Sequence, residues 1–279
     1  MVVMSVALFK WDGLMLVSFL HCFECSRIYE GDHVKFNFPM AASATMLGWG
    51  LIDHREGYDK AGEYNRAVDS LRWAYSYLME AHPDKYTIHM QVGDGYADHG
   101  FWGRPEEMGM YRPIFTLNRN APGTELACET AAALSTCYII FKDIDSSFAN
   151  NCLQHARDLY DFGNEVRGSY SDSSPQVQDF YKSWSGYNDE LCWGALWLYR
   201  ATNEARYLQM ARDNYANGVS KLFSWDDKWP GAQVLMAQLT SDAGYVNDVR
   251  NYFNMLKYET RTPKVNTFFV LDINQAYRA

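Results

Sequence analysis

The sequence predicts an all-α protein built from helical hairpins, on three observations. Apolar residues recur every three or four positions after residue 37, the alternation typical of β-strands is scarce, and helix-start signals repeat along the chain. Ala67, Leu71, Ala74 and Leu78 show the helical spacing in one segment. Hairpins that stack on their neighbours form either an open solenoid or a closed toroid, and the periodicity alone favours neither.

Eight helices are predicted in chain order. Asn37 is expected to cap the first, because its side chain can accept from the first unpaired N–H groups, and Pro39 is tolerated in an opening turn. Asn203 and Ser241 are expected to cap two later helices. The predicted helices cover residues 38–57, 62–81, 124–141, 147–166, 188–201, 204–217, 229–240 and 245–258.

A weak repeat and two long connections add to this arrangement. The segments ATNEARYLQMAR (201–212) and LTSDAGYVNDVR (239–250) share a threonine, an alanine, an aromatic residue and a final arginine, about one helical hairpin apart. Residues 82–123 and 167–187 break the helical rhythm with Gly, Pro, Trp, Tyr and Asp. Connections of that length are usually functional, so we expect a cleft where they emerge from the helices.

The balance of charge limits the partners. The 279 residues carry a formal net charge of -9, so no basic surface is expected for nucleic acid or for an anionic membrane. Aromatic residues make up 16% of the chain, and their flat apolar faces with polar edges suit sugars as well as protein interfaces. We expect a monomer that binds a neutral or a cationic ligand.

The cysteines and the N-terminus do not identify a compartment. The cysteine spacing indicates neither a disulfide framework nor a zinc site. An apolar run at residues 14–23 has the length of a signal-peptide core, but Asp12 lies beside it and no clear cleavage site follows. Residues 1–28 are therefore expected to be an atypical leader rather than a working signal peptide. The cysteines are Cys22, Cys25, Cys128, Cys137, Cys152 and Cys192.

Six segments carry a resemblance to a known family. They are GDHVKFNFPMAASATMLGWGLI (31–52), QVGDGYADHGFWGRPEEM (91–108), ETAAAL (129–134), YSDS (170–173), YKSWSGYNDELCWGALWLYRAT (181–202) and SWDDKW (224–229). In this order they resemble the endoglucanases of glycoside hydrolase family nine, especially the animal ones. The resemblance implies an (α/α)6 toroid, incomplete here, with a partial catalytic domain over 29–263 and an atypical tail over 264–279. It also implies secretion and inverting hydrolysis of internal β-1,4-glucosidic bonds in cellulose.

The resemblance assigns a general base. Inversion needs two carboxyl groups about 6.5–9.5 Å apart, one to deprotonate water and one to protonate the leaving oxygen. The family's base is the last Asp of an Asp-Ala-Gly-Asp motif and matches Asp32, whereas the first Asp of that motif, which helps to hold the water, is replaced by Tyr29. His33 is expected to be structural. The family's acid, a glutamate near the far end of a longer domain, matches no residue here, so we expect weak or no turnover from this chain.

The resemblance also assigns sugar contacts. His99 and Trp102 match a histidine and a tryptophan that contact glucose units, and Tyr181 with Trp184 matches a pair that stacks on sugar rings. A tryptophan face packs on the C–H face of a pyranose while an imidazole reaches its hydroxyl groups. Without the resemblance, a loop tryptophan packed into the core with a hydrogen-bonded histidine beside it is the preferred explanation of Trp102 and His99.

A structural calcium ion is a further expectation, although the chemistry itself requires no cofactor. Oxygen ligands suit calcium, and two or three carboxylates with a hydroxyl and a carbonyl are a suitable set. Without the resemblance, Asp189 and Glu190 are explained as acids in the first turn of a helix. The residues that match the family's site are Ser185, Gly186, Asp189, Glu190 and Asp226.

Two alternatives to an endoglucanase stay open from the sequence. One is a β-glucan-binding protein that keeps the aromatic residues without cleaving the chain. The other is a helical-repeat interaction protein without a sugar ligand. Binding of cello-oligosaccharides separates the second alternative from the other two hypotheses, and hydrolysis separates the first alternative from the endoglucanase.

Overall fold

The computed structural model of the chain describes residues 33–217 and 222–260. The predicted leader, the predicted base Asp32 and the predicted tail lie outside the described residues. Within them the chain is mostly helical, which confirms the predicted all-α class. The helices are α1 (Asn37–Asp53), α2 (Arg55–Ala61), α3 (Tyr64–Glu80), α4 (Gly95–His99), α5 (Thr124–Phe141), α6 (Ser146–Glu165), α7 (Pro175–Asp179), α8 (Asn188–Thr202), α9 (Ala205–Asn214), α10 (Trp229–Thr240) and α11 (Ala243–Thr260).

The eight predicted helices are confirmed as α1, α3, α5, α6, α8, α9, α10 and α11. The first ends at Asp53 rather than at residue 57, because the helix is interrupted at His54 and a second helix, α2, begins at Arg55. The short helices α4 and α7 were not predicted, since five residues are too few to show a 3.6-residue period. Both lie in the two long connections.

The predicted caps Asn203 and Ser241 have a different role from the one expected. Both end the preceding helix in the left-handed conformation, with φ of 57° and 56°. The preceding threonines explain the repeat. The hydroxyl of Thr202 accepts from the N–H of Glu204, and that of Thr240 accepts from the N–H of Asp242, each at 3.2 Å. The repeat is therefore a helix-ending motif, shared by α8 and α10.

Asn37 does not cap α1, which is a second correction. It is the first residue of the helix and is 1% exposed. Its amide donates to the carbonyl of His89 at 2.6 Å and accepts from the hydroxyl of Tyr77 at 2.7 Å. A buried amide that satisfies two distant partners ties α1 to α3 and to the connection that follows it.

Two strands of that connection form a small antiparallel sheet with the chain that precedes α1, which the sequence did not predict. Its strands are β1 (Lys35–Phe36), β2 (Ile88–Val92) and β3 (Ile114–Leu117), in the order β1-β2-β3. Phe36 pairs with Gln91, and Ile88 pairs with Leu117. The sheet places the chain that precedes α1 beside the loop between β2 and β3.

Helix α5 is the centre of the core and packs against α1, α6 and α8. Almost all of its residues are buried, including a run of alanines that permits close helix packing. Gly194 of α8 shows how close the approach is, since a β-carbon there would lie 2.8 Å from the carbonyl oxygen of Cys128. Any larger residue at position 194 would push α8 away from α5.

A disulfide joins the two helices that follow each other in this core. Cys137 of α5 is bonded to Cys152 of α6, with their Cα atoms 6.2 Å apart. The spacing of the cysteines did not predict this bond. Cys128 and Cys192 are buried free thiols. Along the described parts of the chain, no helix combines the length and apolar character needed to cross a bilayer.

Candidate functional site

An aromatic cluster joins the loop before β3 to the loop before α8. The ring of Phe180 lies 5.6 Å from that of Phe36 and 6.4 Å from that of His99, measured between ring centroids. Phe36 in turn contacts Tyr181 at 4.7 Å. Strand β1 thus brings the predicted sugar-contacting residues His99 and Tyr181 to one place, although they are far apart in sequence.

The loop after β2 presents two of the predicted residues to solvent. His99 ends α4 and is exposed, and Trp102 is fully exposed at 101% of its reference area. Asp94 caps α4 by accepting from the N–H of Ala97 at 2.9 Å. Phe101, directly before Trp102, instead packs on the ring of His33, with 5.7 Å between the ring centroids. A fully exposed tryptophan beside a packed phenylalanine indicates a contact surface rather than a core.

The second predicted pair divides between core and surface. Tyr181 is half-buried between Phe36 and Trp225, with a centroid distance of 5.2 Å to Trp225. Trp184 is 78% exposed. Its backbone N–H donates to both carboxylate oxygens of Asp226, at 3.2 and 3.0 Å. Trp184 is therefore held at its backbone while its ring is largely exposed, with the ammonium of Lys182 over it at 4.7 Å from the ring centroid.

Buried carboxyl and amide groups anchor these loops to the helices. Glu125 in the first turn of α5 accepts from the hydroxyl of Ser169 at 2.6 Å and from the N–H of Tyr170 at 2.9 Å. Burial raises the pKa of Glu125 to about 7, against the opposing effect of these hydrogen bonds. The hydroxyl of Tyr170 then donates to the carbonyl of Tyr181. Glu125 and Tyr170 thus hold the backbone at Tyr181 against helix α5.

Gln176 of α7 connects the two loops directly. Its amide oxygen accepts from the side chain of Gln91 at 2.6 Å and from the N–H of Gly95 at 2.9 Å. Its amide nitrogen donates to Asp94. These residues were not predicted, because a glutamine in a loop has no local signal that reveals a partner 85 positions away.

The predicted calcium ligands are adjacent in the structure but do not surround one point. Among the described residues, no three acidic, histidine or cysteine side chains converge on a common point in this structure. Asp226 is engaged with Trp184 and with the hydroxyl of Ser185, which donates to its carbonyl at 2.9 Å. Two carboxylate oxygens fit a cation, since Asp189 Oδ1 and Glu190 Oε2 are buried without a hydrogen-bond partner. Gly186, with φ of +83°, lies in the loop before α8.

A buried lysine lies against the same acidic residues. Lys228 is 2% exposed, and its Nζ lies 3.3 Å from Glu129 Oε2 and 3.4 Å from Glu190 Oε1, both fully buried. Burial acts to lower the pKa of Lys228, but Glu129 and Glu190 outweigh it and the pKa is raised. Burial also raises the pKa of Glu190 well above its ordinary value. Lys228 lies within the segment SWDDKW, yet its role was not predicted.

The residue next to the predicted base is held by two side chains. The N–H of His33 donates to Asp98 Oδ1 at 2.6 Å, and its ring nitrogen lies 3.3 Å from the same oxygen. Arg112 donates to the carbonyl of His33 and, at 3.2 Å, to Asp98 Oδ2. His33 is thus bound to the loop, as expected of a structural residue. Asp98 and Arg112 were not predicted.

The exposed tryptophan rings on these loops have flat apolar faces and polar edges, which suit a carbohydrate ligand. Comparison with known sequences makes the class specific, because the family model described as Glycosyl hydrolase family 9 matches residues 30–275. The chain belongs to glycosyl hydrolase family 9, which is a family of glycosidases.

Similar proteins agree with this membership. The chain is 43% identical over 234 residues to Endoglucanase B of Cellulomonas fimi. It superimposes on an endoglucanase of the termite Nasutitermes takasagoensis with a TM-score of 0.78 and 46% identity, over 80% of this chain and 52% of that one. The cellulase CEL9M in complex with cellobiose matches with a TM-score of 0.75 and 34% identity, over 84% of this chain and 55% of that one.

The chain spans only part of these relatives. The match to Endoglucanase B includes 80% of this chain but only 22% of that protein. Against Endoglucanase 10 of Arabidopsis thaliana it covers 44% of the relative, at 42% identity. The family and the fold class therefore apply to this chain directly, whereas the activity of the whole relatives is a matter for proposal.

Proposed function

We propose that the chain is an endo-β-1,4-glucanase that acts on cellulose or cello-oligosaccharides. One observation carries the proposal, which is that a member of glycosyl hydrolase family 9 exposes Trp102 and Trp184 on loops joined by a shared aromatic cluster. A neutral sugar polymer suits such a surface, because its C–H faces pack on indole rings without any need for charge. The crystallised relative that holds cellobiose supports the same class of ligand.

In the proposed reaction Asp32 acts as the general base. Its carboxylate takes a proton from a water molecule, the water oxygen bonds to the anomeric carbon from the face opposite the leaving sugar, and the configuration inverts. His99, Trp102, Tyr181 and Trp184 hold the glucan so that the scissile bond faces that water. The leaving oxygen also needs a proton from an acid, and no residue of this chain is assigned to that role. Glucan binding without turnover is the alternative that the same surface supports.

Replacing Trp184 tests the binding surface. We expect Trp184→Ala to weaken cellohexaose binding about tenfold, or ~1.4 kcal/mol, because the exposed indole is lost while the backbone contacts to Asp226 remain. Isothermal titration calorimetry measures the change. Trp73→Ala is the matched control, since Trp73 is 40% exposed on α3, away from the aromatic loops.

Two results would contradict the proposal. If neither the wild-type chain nor Trp184→Ala binds cellohexaose, the helical-repeat interaction protein becomes the better hypothesis. If the wild-type chain binds but releases no reducing ends from carboxymethylcellulose beyond those released by Asp32→Ala, the chain is a glucan-binding protein.

We propose calcium as a structural ion, held by Ser185, Gly186, Asp189, Glu190 and Asp226. The buried, unpartnered oxygens of Asp189 and Glu190 support this, because a cation would supply the contacts that they lack. Calcium would fix the loop that carries Trp184 and would take no part in bond cleavage. We expect the melting temperature to be higher in 1 mM calcium than in EDTA, and we expect Asp189→Asn to remove that difference. An equal melting temperature with calcium and with EDTA would contradict the proposal.

We further propose that the protein is extracellular and monomeric. The disulfide between Cys137 and Cys152 supports an extracellular location, because disulfides persist in oxidising compartments and are rare in the cytosol.

A further inference from the structure

Helix α4 presents a second exposed aromatic residue, Tyr96, beside His99. Tyr96 is 53% exposed and lies three residues before His99, and side chains at this spacing lie on the same side of a helix. Asp98 between them is 1% exposed. The helix therefore turns Asp98 towards the protein and leaves Tyr96 and His99 at the surface.

The ring of Tyr96 has a defined place because it packs on Phe180. The two ring centroids are 5.3 Å apart, with 62° between the ring planes. His99 contacts the same ring, at a centroid distance of 6.4 Å. Gly95 allows Phe180 to lie this close, since a β-carbon at Gly95 would lie 2.5 Å from the Phe180 ring. Phe180 thus supports both exposed rings of α4.

The hydroxyl of Tyr96 is held as well as its ring. It donates to Asp179 Oδ2, and Asp179 is exposed at the end of α7, directly before Phe180. This hydrogen bond raises the pKa of Tyr96, so the phenol keeps its proton and the carboxylate is the acceptor. Two consecutive residues of the other long connection therefore contact Tyr96, one at its hydroxyl and one at its ring.

Stability gives little reason for this arrangement at the surface. A hydrogen bond between two exposed groups replaces bonds that each group would otherwise make to water, so its net contribution to folding is small. The two contacts do restrict the rotation of the Tyr96 ring. A ring that is already ordered loses little conformational entropy when a ligand packs on it, so Tyr96 is prepared for binding.

Asp179 adds hydrogen-bonding capacity next to the ring. A carboxylate has two oxygen atoms with several acceptor sites, and Tyr96 uses one of these sites on Oδ2. The exposed carboxylate can therefore also accept from hydroxyl groups of a ligand. An apolar face beside a few placed polar groups is the usual composition of a small-ligand site, and a pyranose ring offers the matching C–H face and hydroxyl groups.

We propose that Tyr96 and Asp179 form a further subsite for one neutral glucose unit of a β-1,4-glucan, next to the unit that His99 contacts. In this Tyr96 subsite the tyrosine ring packs on the C–H face of the sugar, and the Asp179 carboxylate accepts from its hydroxyl groups. The inference rests on the proposed glucan-binding function and extends it by two residues. The Tyr96 subsite adds affinity only for glucan chains long enough to reach it.

The dependence of affinity on chain length tests the Tyr96 subsite. Isothermal titration calorimetry compares the full chain with Tyr96→Ala, using cellotriose, cellotetraose, cellopentaose and cellohexaose. The wild-type affinity should rise with chain length until the Tyr96 subsite is filled. Tyr96→Ala should remove a gain of about fivefold at one step of that series, and the shorter oligosaccharides should bind as they do to the wild type.

Two further variants separate the ring from the carboxylate. Tyr96→Phe keeps the ring and loses the bond to Asp179, so we expect it to keep part of the gain. Asp179→Ala loses that bond and the acceptor for sugar hydroxyl groups, so it should lose more of the gain than Tyr96→Phe does.

The matched control is Tyr86→Ala. The hydroxyl of Tyr86 also donates to a carboxylate, that of Glu165 at 2.8 Å, but this pair lies at the end of α6. Tyr86→Ala should bind every oligosaccharide as the wild type does. Melting temperatures measured for all variants separate loss of folding from loss of a sugar contact.

Three outcomes overturn the inference, and only the last also removes the proposed function. If Trp184→Ala weakens cellohexaose binding but Tyr96→Ala gives the same chain-length series as Tyr86→Ala, the glucan site stands without a Tyr96 subsite. If Tyr96→Ala loses affinity equally at every chain length, Tyr96 forms no separate subsite. If the wild type binds none of the oligosaccharides, the proposed function fails and the Tyr96 subsite fails with it.

Discussion

Lys228→Met is expected to lower the free energy of unfolding by about 3–5 kcal/mol, the largest effect of any single substitution considered for this chain. Methionine keeps the length and most of the volume of the side chain but removes the charge. Glu129 and Glu190, both fully buried, then lose the ammonium group that lies between them. Urea denaturation followed by tryptophan fluorescence measures the loss.

The loss should depend on pH in a direction that follows from Glu190. Its pKa is already raised by burial above the ordinary value of about 4.5, and removing Lys228 raises that pKa further. A carboxyl group with a higher pKa in the folded than in the unfolded protein destabilises the fold as the pH rises above the unfolded value. Lys228→Met should therefore be less destabilised at pH 5 than at pH 8.

The control is another lysine in an ion pair. Lys60 lies 2.6 Å from Glu56, but both side chains are mostly exposed. Lys60→Met should leave the urea midpoint close to that of the wild type, because water screens exposed pairs. A loss for Lys228→Met that is no larger than this, or equal at pH 5 and pH 8, would show that the buried carboxyl groups do not depend on the lysine.

Removing the disulfide is expected to lower the free energy of unfolding by about 3 kcal/mol. Cys137 and Cys152 are separated by 15 residues, and the bond restricts the unfolded chain by closing that loop. The Cys137→Ala/Cys152→Ala double variant removes the bond, and the wild-type chain unfolded in dithiothreitol should show the same loss. Urea midpoints in matched buffers measure both.

Removal of two buried sulfur atoms creates small cavities as well, so a second double variant is needed. Cys128→Ala/Cys192→Ala also deletes two buried sulfur atoms but breaks no crosslink. It should lose less stability than the disulfide variant and should not respond to dithiothreitol. Equal losses in the two double variants would assign the effect to packing and not to the crosslink.

Much of the helical scaffold could be predicted because its signals are local. The period of apolar residues is carried by each segment itself, so the long helices such as α5 and α10 were predicted with the ends that the structure shows. The roles of Asn37, Asn203 and Ser241 were not, because a polar residue at a helix boundary can cap a start, end a helix or bind elsewhere. Only its neighbours in space decide which.

The candidate site divides along the same line. Trp102 and Trp184 were predicted from motifs and are exposed in the structure, while their contact with sugar stays a prediction. Tyr181, predicted as a partner of Trp184, is half-buried against Phe36 and Trp225. That difference depends on how two loops meet across β1, which no short segment of sequence encodes.

The sequence by itself indicated that the chain is helical, that it resembles family-nine glycosidases and which aromatic residues are candidates for contact with a sugar. The helical class follows from periodicity, whose physical basis is the geometry of a single helix, whereas the family follows from the resemblance of short motifs. The tertiary structure alone decided that Asp98 and Arg112 hold His33, and that Lys228 lies between two buried glutamates. Those contacts join residues at least 38 positions apart in sequence, and only the tertiary fold brings them together.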